Sequence, residues 1–146
     1  MEYRYLQYKI VRNASVKPSG VIVATIATDT PFKGEVLLMS GVAFRGDKRQ
    51  LPLLDHANAT TVKAIVGSCR QVRIENGKLI GNVLFASDKS AQAVKRKFLD
   101  GHLSQFAASI EAISGIELRV NESFGGYLGP MRLITRWRPL AVVITA

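Results

Sequence analysis

Apolar and polar residues alternate along much of this chain, which is typical of β-strands with one buried face. The first such stretch covers residues 3–11, and the β-branched run at 21–27 predicts a second, well-buried strand that ends at Asp29-Thr30-Pro31. Further strands are predicted at 106–110, at 116–120 and at about 140–145. A glycine-rich loop at 125–130 interrupts the last part of the pattern.

The clearest local prediction is a tight hairpin. Asn76-Gly77 lies between two predicted strands, 68–74 and 79–85, and this dipeptide favours a two-residue turn. A helix follows, because Ser87-Asp88-Lys89-Ser90 can cap a segment that runs to about residue 99 and Asp100-Gly101 can end it. The residues expected on its apolar face are Ala91, Val94, Phe98 and Leu99.

Many short strands and one helix predict a mainly β fold, a closed or nearly closed, mainly antiparallel β-barrel with the helix packed outside. The length of 146 residues suits a single domain, residues 1–146, and no Pro- or Ser-rich linker divides it. Because the chain ends in an apparent strand region, a truncated or self-processed core is the alternative to a whole domain.

The composition is strongly basic. Twenty Lys and Arg face eleven Asp and Glu, a formal charge of +9 that favours an acidic partner such as nucleic acid or an acidic protein. No apolar run approaches the roughly 20 residues of a membrane span, and the N-terminus lacks a secretory pattern, so we expect a cytoplasmic protein. Cys69 is the one cysteine, which excludes an internal disulfide and indicates core filling.

Two histidines are candidates for acid–base chemistry. His56 ends the apolar segment 51–54, where a strand could present an imidazole at a groove, although a histidine at a strand end can also be purely structural. His102 lies in a polar turn, where a solvated side chain is expected.

Several short motifs occur in one order along residues 20–145. Leu53-Leu54-Asp55-His56 is followed by Val66-Gly67-Ser68, by the hairpin, by the helix that ends at Gly101, and by Ala108-Ser109-Ile110. This arrangement resembles the prohead (capsid maturation) serine proteases of tailed phages.

The resemblance implies a fold like that of the herpesvirus assembly proteases, a β-barrel ringed by helices with a serine and a histidine on neighbouring strands. It implies a serine endopeptidase that cleaves scaffold and major capsid protein termini, and itself, inside the assembling prohead in the host cytoplasm. Homo-oligomers are compatible with it. No metal or nucleotide motif is present, so we expect no cofactor.

The nucleophile has two candidate positions. His56 would take the proton of a serine hydroxyl, and Ser109 is the preferred serine because it is the only hydroxyl on the face shared by residues 107, 109 and 111. In the family, however, the nucleophile usually comes six residues after the glycine that ends the helix. Here that glycine is Gly101, and the sixth residue after it is Ala107. Either the segment is shifted by two residues, or Ala107 replaces a serine through natural loss or deliberate inactivation.

The third catalytic member is open. Ala141 stands where the family commonly has an acid before its closing strand. Glu111 and Asp55 remain as carboxylates that could orient His56, and each could equally be a solvated surface group.

A second function class also fits the charge. The basic runs 45–49 and 95–97, with aromatic residues near other basic positions, suit a small β-barrel that binds nucleic acid by charge and stacking without catalysis. Solvated surface is the plain alternative for these runs. The aromatic residues in question are Tyr3, Tyr5, Tyr8 and Trp137.

Overall fold

The structure, a computed structural model, describes residues 14–44, 49–56, 64–103 and 105–145, and the backbone of residues 2–5. In these residues the chain forms eleven strands, one α-helix and a short 3-10 helix. The strands are β1 (Glu2–Tyr5), β2 (Ala14–Val16), β3 (Ile22–Thr28), β4 (Glu35–Leu37), β5 (Leu51–Leu54), β6 (Ile65–Glu75), β7 (Lys78–Phe85), β8 (Gln105–Leu118), β9 (Ser123–Phe124), β10 (Tyr127–Leu128) and β11 (Met131–Thr145). The helices are α1 (Lys89–Leu99) and the 3-10 helix Met39–Gly41. The predicted mainly β class is confirmed.

Nine strands belong to one curled sheet in the order β1-β8-β11-β5-β6-β7-β3-β2, with β4 beside β11. Strands β9 and β10 form a separate hairpin where the glycine-rich loop was expected. The sheet curls enough for β3 to approach β8 across the core, although four strands lie between them in the sheet order. It remains an open half-barrel, because no pairing between described strands joins β1 to β2. The predicted closure is therefore not observed, and β11 runs parallel to β4 and β5 rather than antiparallel.

Two of the predicted strands are one. The stretches 106–110 and 116–120 both fall in or beside β8, which continues through Ser114 and Gly115 because its backbone stays paired with β11 there. The closing strand likewise begins at Met131 and not near residue 140. Backbone ladders do not require apolar side chains, so the polar interruptions that suggested strand ends do not stop the pairing.

Irregular pairing bends β11. Its register with β8 shifts at three places, one of them between Pro139 and Ala141. Proline has no N–H to donate to a ladder and is found in sheets mainly at edges and bulges. The bends let the first half of β11 pair with β4 while the second half pairs with β5, which is how the sheet curls.

The hairpin prediction is confirmed. Asn76 and Gly77 have φ values of 53° and 73°, as a turn of type I′ requires, and they join β6 to β7. Another residue of this hairpin, Gln71, also has a positive φ of 52°, where the β6–β7 register shifts. Such values are uncommon for residues other than glycine.

The helix prediction is confirmed at both ends. The Asp88 carboxylate accepts from the Ala91 N–H at 3.3 Å, and Gly101 ends the helix with φ of 87°. Ala91 and Phe98 are buried, and the Phe98 ring packs edge-on against Phe106 with centroids 5.4 Å apart. The expectation for Leu99 was wrong, because this side chain is 52% exposed in the last turn.

The core fills the concave side of the sheet. Cys69 is fully buried there, as predicted, and burial raises the pKa of its thiol to about 12. Trp137 is also fully buried, and its indole N–H donates to the Leu38 carbonyl at 2.8 Å. This bond ties β11 to the segment that follows β4.

At Gly67 the backbones of β6 and β7 approach each other closely. A Cβ atom at this position would lie 2.1 Å from the backbone oxygen of Leu84. We expect Gly67→Ala to lower the free energy of unfolding by about 2–3 kcal/mol, because a backbone oxygen can move away only by distorting the ladder. Chemical denaturation measures this. The neighbouring Ser68→Ala is the control, with an expected loss below about 1 kcal/mol; equal losses in both variants would contradict the close approach.

Candidate active-site face

Strand β8 presents two faces with different surroundings. Phe106, Ala108 and Ile110 belong to the core cluster. Because side chains alternate along a strand, residues 107, 109 and 111 lie on the opposite, convex face. All three positions singled out from the sequence therefore share one face, as predicted.

The register aligns these positions with β5, the strand that leads to His56. Val143 of β11 pairs with Ala107 on one side and with Leu54 on the other. Ser109 pairs with Ala141, two residues further from the end of β5 that leads to His56. β11 lies between β5 and β8, so the two strands are not direct neighbours.

This register brings position 107 nearer to His56 than position 109. With strands about 4.8 Å apart and about 3.3 Å per residue, a regular sheet would place the Cα of His56 roughly 12 Å from that of Ala107 and roughly 16 Å from that of Ser109. Within the described residues, His56 and Ser109 share no hydrogen bond, and the imidazole is hydrogen-bonded to Asp55.

His56 forms a pair with the residue before it. Its Nδ1 lies 2.5 Å from Oδ1 of Asp55, and the two side chains are 61% and 40% exposed. If Nδ1 carries the proton donated to this carboxylate, Nε2 retains a lone pair, which is the arrangement of a general base. Of the two carboxylates considered for orienting His56, Asp55 is therefore the one that contacts the imidazole.

Glu111 has a different partner. Its carboxylate is buried and lies 3.5 Å from Nη1 of Arg138, the residue opposite it on β11. Removing a charge from water is costly unless an opposite charge is close, so Arg138 accounts for the presence of Glu111 on this face. The geometry assigns Glu111 to an ion pair within the sheet.

The centre of this face is apolar and covered. Ala107 and Val143 are 1% and 0% exposed, and Ala141 is buried as well. Ser109 is only half-buried. Ala107 and Ala141 therefore stand at the positions where the family resemblance implies a serine and an acid, and Val143 lies beside Ala107.

Other sequence candidates are placed away from this face or outside the description. His102 is exposed after α1, in agreement with the prediction for it. Trp137 lies in the core and offers no surface for stacking. The side chains of Tyr3 and Tyr5, all of Tyr8, and residues 45–48 of the basic run lie outside the described residues.

The sequence patterns did not reveal a groove on the convex face of β5 and β6. It is lined by Arg49, Arg70 and Arg73, together with Pro52, Ile65 and Ser68. We call it the arginine groove. The register shift at Gln71 brings the side chains of the groove together. In the sequence, the one possible sign of this shift is that the alternation of polar and apolar residues breaks at Gln71.

Neither a metal-binding cluster nor a membrane-spanning helix is present among the described residues. It contains no group of three or more His, Cys, Asp or Glu side chains placed to hold a metal ion. None of its helices is long and apolar enough to cross a membrane.

Comparison with known proteins adds no relative: no protein family, curated protein or solved structure matches this chain.

The Glu111–Arg138 pair predicts a specific pattern of stabilities. Arg138→Gln should lower the free energy of unfolding by about 2–4 kcal/mol, because it leaves a buried carboxylate without its cation. The double variant with Glu111→Gln should recover most of this loss. Urea denaturation of the two single variants and the double variant measures the coupling. Additive losses would show that the two side chains do not form a stabilising pair.

Proposed function

We propose that this chain is the catalytic domain of a serine endopeptidase of the prohead maturation type, with His56 as general base and position 107 as the place of the nucleophile. In this proposal Ala107 replaces the serine, so the chain as printed lacks that hydroxyl. The finer fold assignment, a barrel of the herpesvirus-protease type, belongs to the same proposal. Its substrates would be scaffold and capsid protein termini, and the chain itself.

One observation carries the choice of position 107. The row formed by Ala107, Val143 and Leu54 runs directly into the chain segment that bears His56. The family spacing from Gly101 leads to the same residue. Ser109 lies one row further away and is therefore the less favourable nucleophile, contrary to the preference drawn from the sequence.

The Asp55–His56 pair supports the role of the imidazole. A serine at 107 needs a base that removes its proton during attack on the peptide carbonyl and returns it to the leaving amine. In this proposal Nε2 of His56 does this once Nδ1 is held by Asp55 and the segment after β5 moves within hydrogen-bond reach of position 107, and the exposure of the imidazole allows a substrate to reach it. This arrangement needs no acid at position 141.

The proposal is tested by restoring the hydroxyl. We expect Ala107→Ser to react with a fluorophosphonate probe at residue 107 and to cleave itself, both detected by peptide mass spectrometry. The unchanged chain should do neither. Adding His56→Ala to Ala107→Ser should remove the reaction, because loss of one member of a cooperating pair costs on the order of 10⁶ in rate.

Two controls sharpen this experiment. Ala141→Ser places a hydroxyl on the same face and the adjacent strand, and it should not react. Thermal unfolding confirms that each variant is folded, since a new hydroxyl at the buried position 107 carries a cost of about 1–3 kcal/mol if it lacks a partner. Probe reaction at Ser109 of the unchanged chain would assign the nucleophile to 109. A folded Ala107→Ser variant that neither reacts nor cleaves would refute the proposal.

A further inference from the structure

The arginine groove is an open depression of about 1050 Å³ on the convex side of the sheet. Its floor and walls combine aliphatic surface, including Pro52 and the 44% exposed Ile65, with three guanidinium groups. Gathering Arg49, Arg70 and Arg73 around one depression is electrostatically unfavourable, because like charges repel each other.

A strained backbone position brings these arginines together. In a regular strand Arg70 and Arg73 would point to opposite faces. The register shift at Gln71, which has a φ of 52°, puts both beside the groove and returns Val72 to the core. Non-glycine residues at positive φ are uncommon and often mark functional positions.

Arg49 is attached to the same irregularity. The Val72 N–H, one residue after Gln71, donates to the Arg49 carbonyl at 3.0 Å. The Arg49 guanidinium in turn lies 3.9 Å from the centroid of the Phe44 ring, a cation–π contact. The irregularity at Gln71 therefore determines the backbone positions of all three arginines.

The side chains of the other two arginines are also held. Nε of Arg70 donates to the Ser68 hydroxyl at 3.1 Å. Nη1 of Arg73 donates to the Gln71 carbonyl at 2.8 Å, and its Nε donates to Glu75. Guanidinium groups held in advance lose less conformational entropy when they bind an anion.

The charge that remains is positive. Arg73 is paired with Glu75 at 3.0 Å, whereas no ion pair between described residues involves Arg49 or Arg70. Carboxylates match the fork of a guanidinium by two parallel hydrogen bonds. The aliphatic surface beside these groups suits apolar side chains of an extended chain.

We propose that the arginine groove binds an extended acidic segment of a partner polypeptide, in which carboxylates meet Arg49 and Arg70 and aliphatic side chains lie on Pro52 and Ile65. A polypeptide is favoured over single-stranded nucleic acid because none of the described residues that line the groove is aromatic, and single-stranded nucleic acids are usually bound by stacking their bases on aromatic side chains. The inference does not depend on proteolysis.

Fluorescence anisotropy with three labelled probes tests it. The first is a 12-residue peptide that alternates Glu with Val, the second has Gln in place of Glu, and the third is a 12-nucleotide oligo-dT. We expect the acidic peptide to bind and its Gln counterpart to bind at least tenfold more weakly. Added salt should weaken the binding of the acidic peptide. Oligo-dT binding tighter than that of the acidic peptide would overturn the proposal in favour of nucleic acid.

Charge-matched variants locate the site. Arg49→Gln and Arg70→Gln should each lower the affinity for the acidic peptide about fivefold to tenfold, as expected for loss of a charge-assisted hydrogen-bonded pair. Arg96→Gln removes the same charge from the exposed surface of α1, outside the lining of the groove, and should change affinity less than twofold. Equal weakening by all three variants, or no binding of the acidic peptide at all, would refute the groove as its site. Because binding is measured directly, this outcome is independent of whether the chain cleaves anything.

Discussion

The antiparallel ladder between β8 and β11 is the interaction on which the rest of this structure depends. It joins residues 105–118 to residues 131–145. On its other side β11 holds β4 and β5 in parallel. The irregularities of β11, including the one beside Pro139, bend this strand so that it pairs with β4 in its first half and with β5 in its second half. This bending curls the sheet around the core. Without this ladder neither the buried Trp137 nor the convex face would exist, because both are defined by where β11 lies.

The same ladder determines what the convex face can do. Side chains on β8 reach His56 only across β11, so the register of two pairings decides which position comes closest. It also sets Glu111 opposite Arg138, which neutralises the carboxylate within the sheet. Of the two carboxylates considered from the sequence, Asp55 contacts His56, whereas Glu111 is paired with Arg138. The contact of the imidazole is therefore local in the chain.

The convex face has a second region whose origin is different. The arginine groove arises from one residue, Gln71, whose positive φ interrupts the alternation of β6. The proposed catalytic face and this groove are adjacent, since Pro52 lines the groove and Leu54 belongs to the row of Ala107. An extended chain lying along this side of the sheet would meet guanidinium groups in one part and the imidazole in the other.

Local signals in the sequence were sufficient for the hairpin at Asn76-Gly77, the cap at Asp88 and the core role of Cys69, because each depends on backbone preferences or polarity of a few neighbouring residues. They also predicted the shared face of residues 107, 109 and 111, and they singled out His56 as a candidate. The length of β8, the parallel neighbours of β11 and the open sheet required the tertiary structure, since hydrogen-bonded pairing joins residues far apart in the chain and leaves no periodic trace. For the same reason, residue type favoured Ser109, whereas strand register favours position 107.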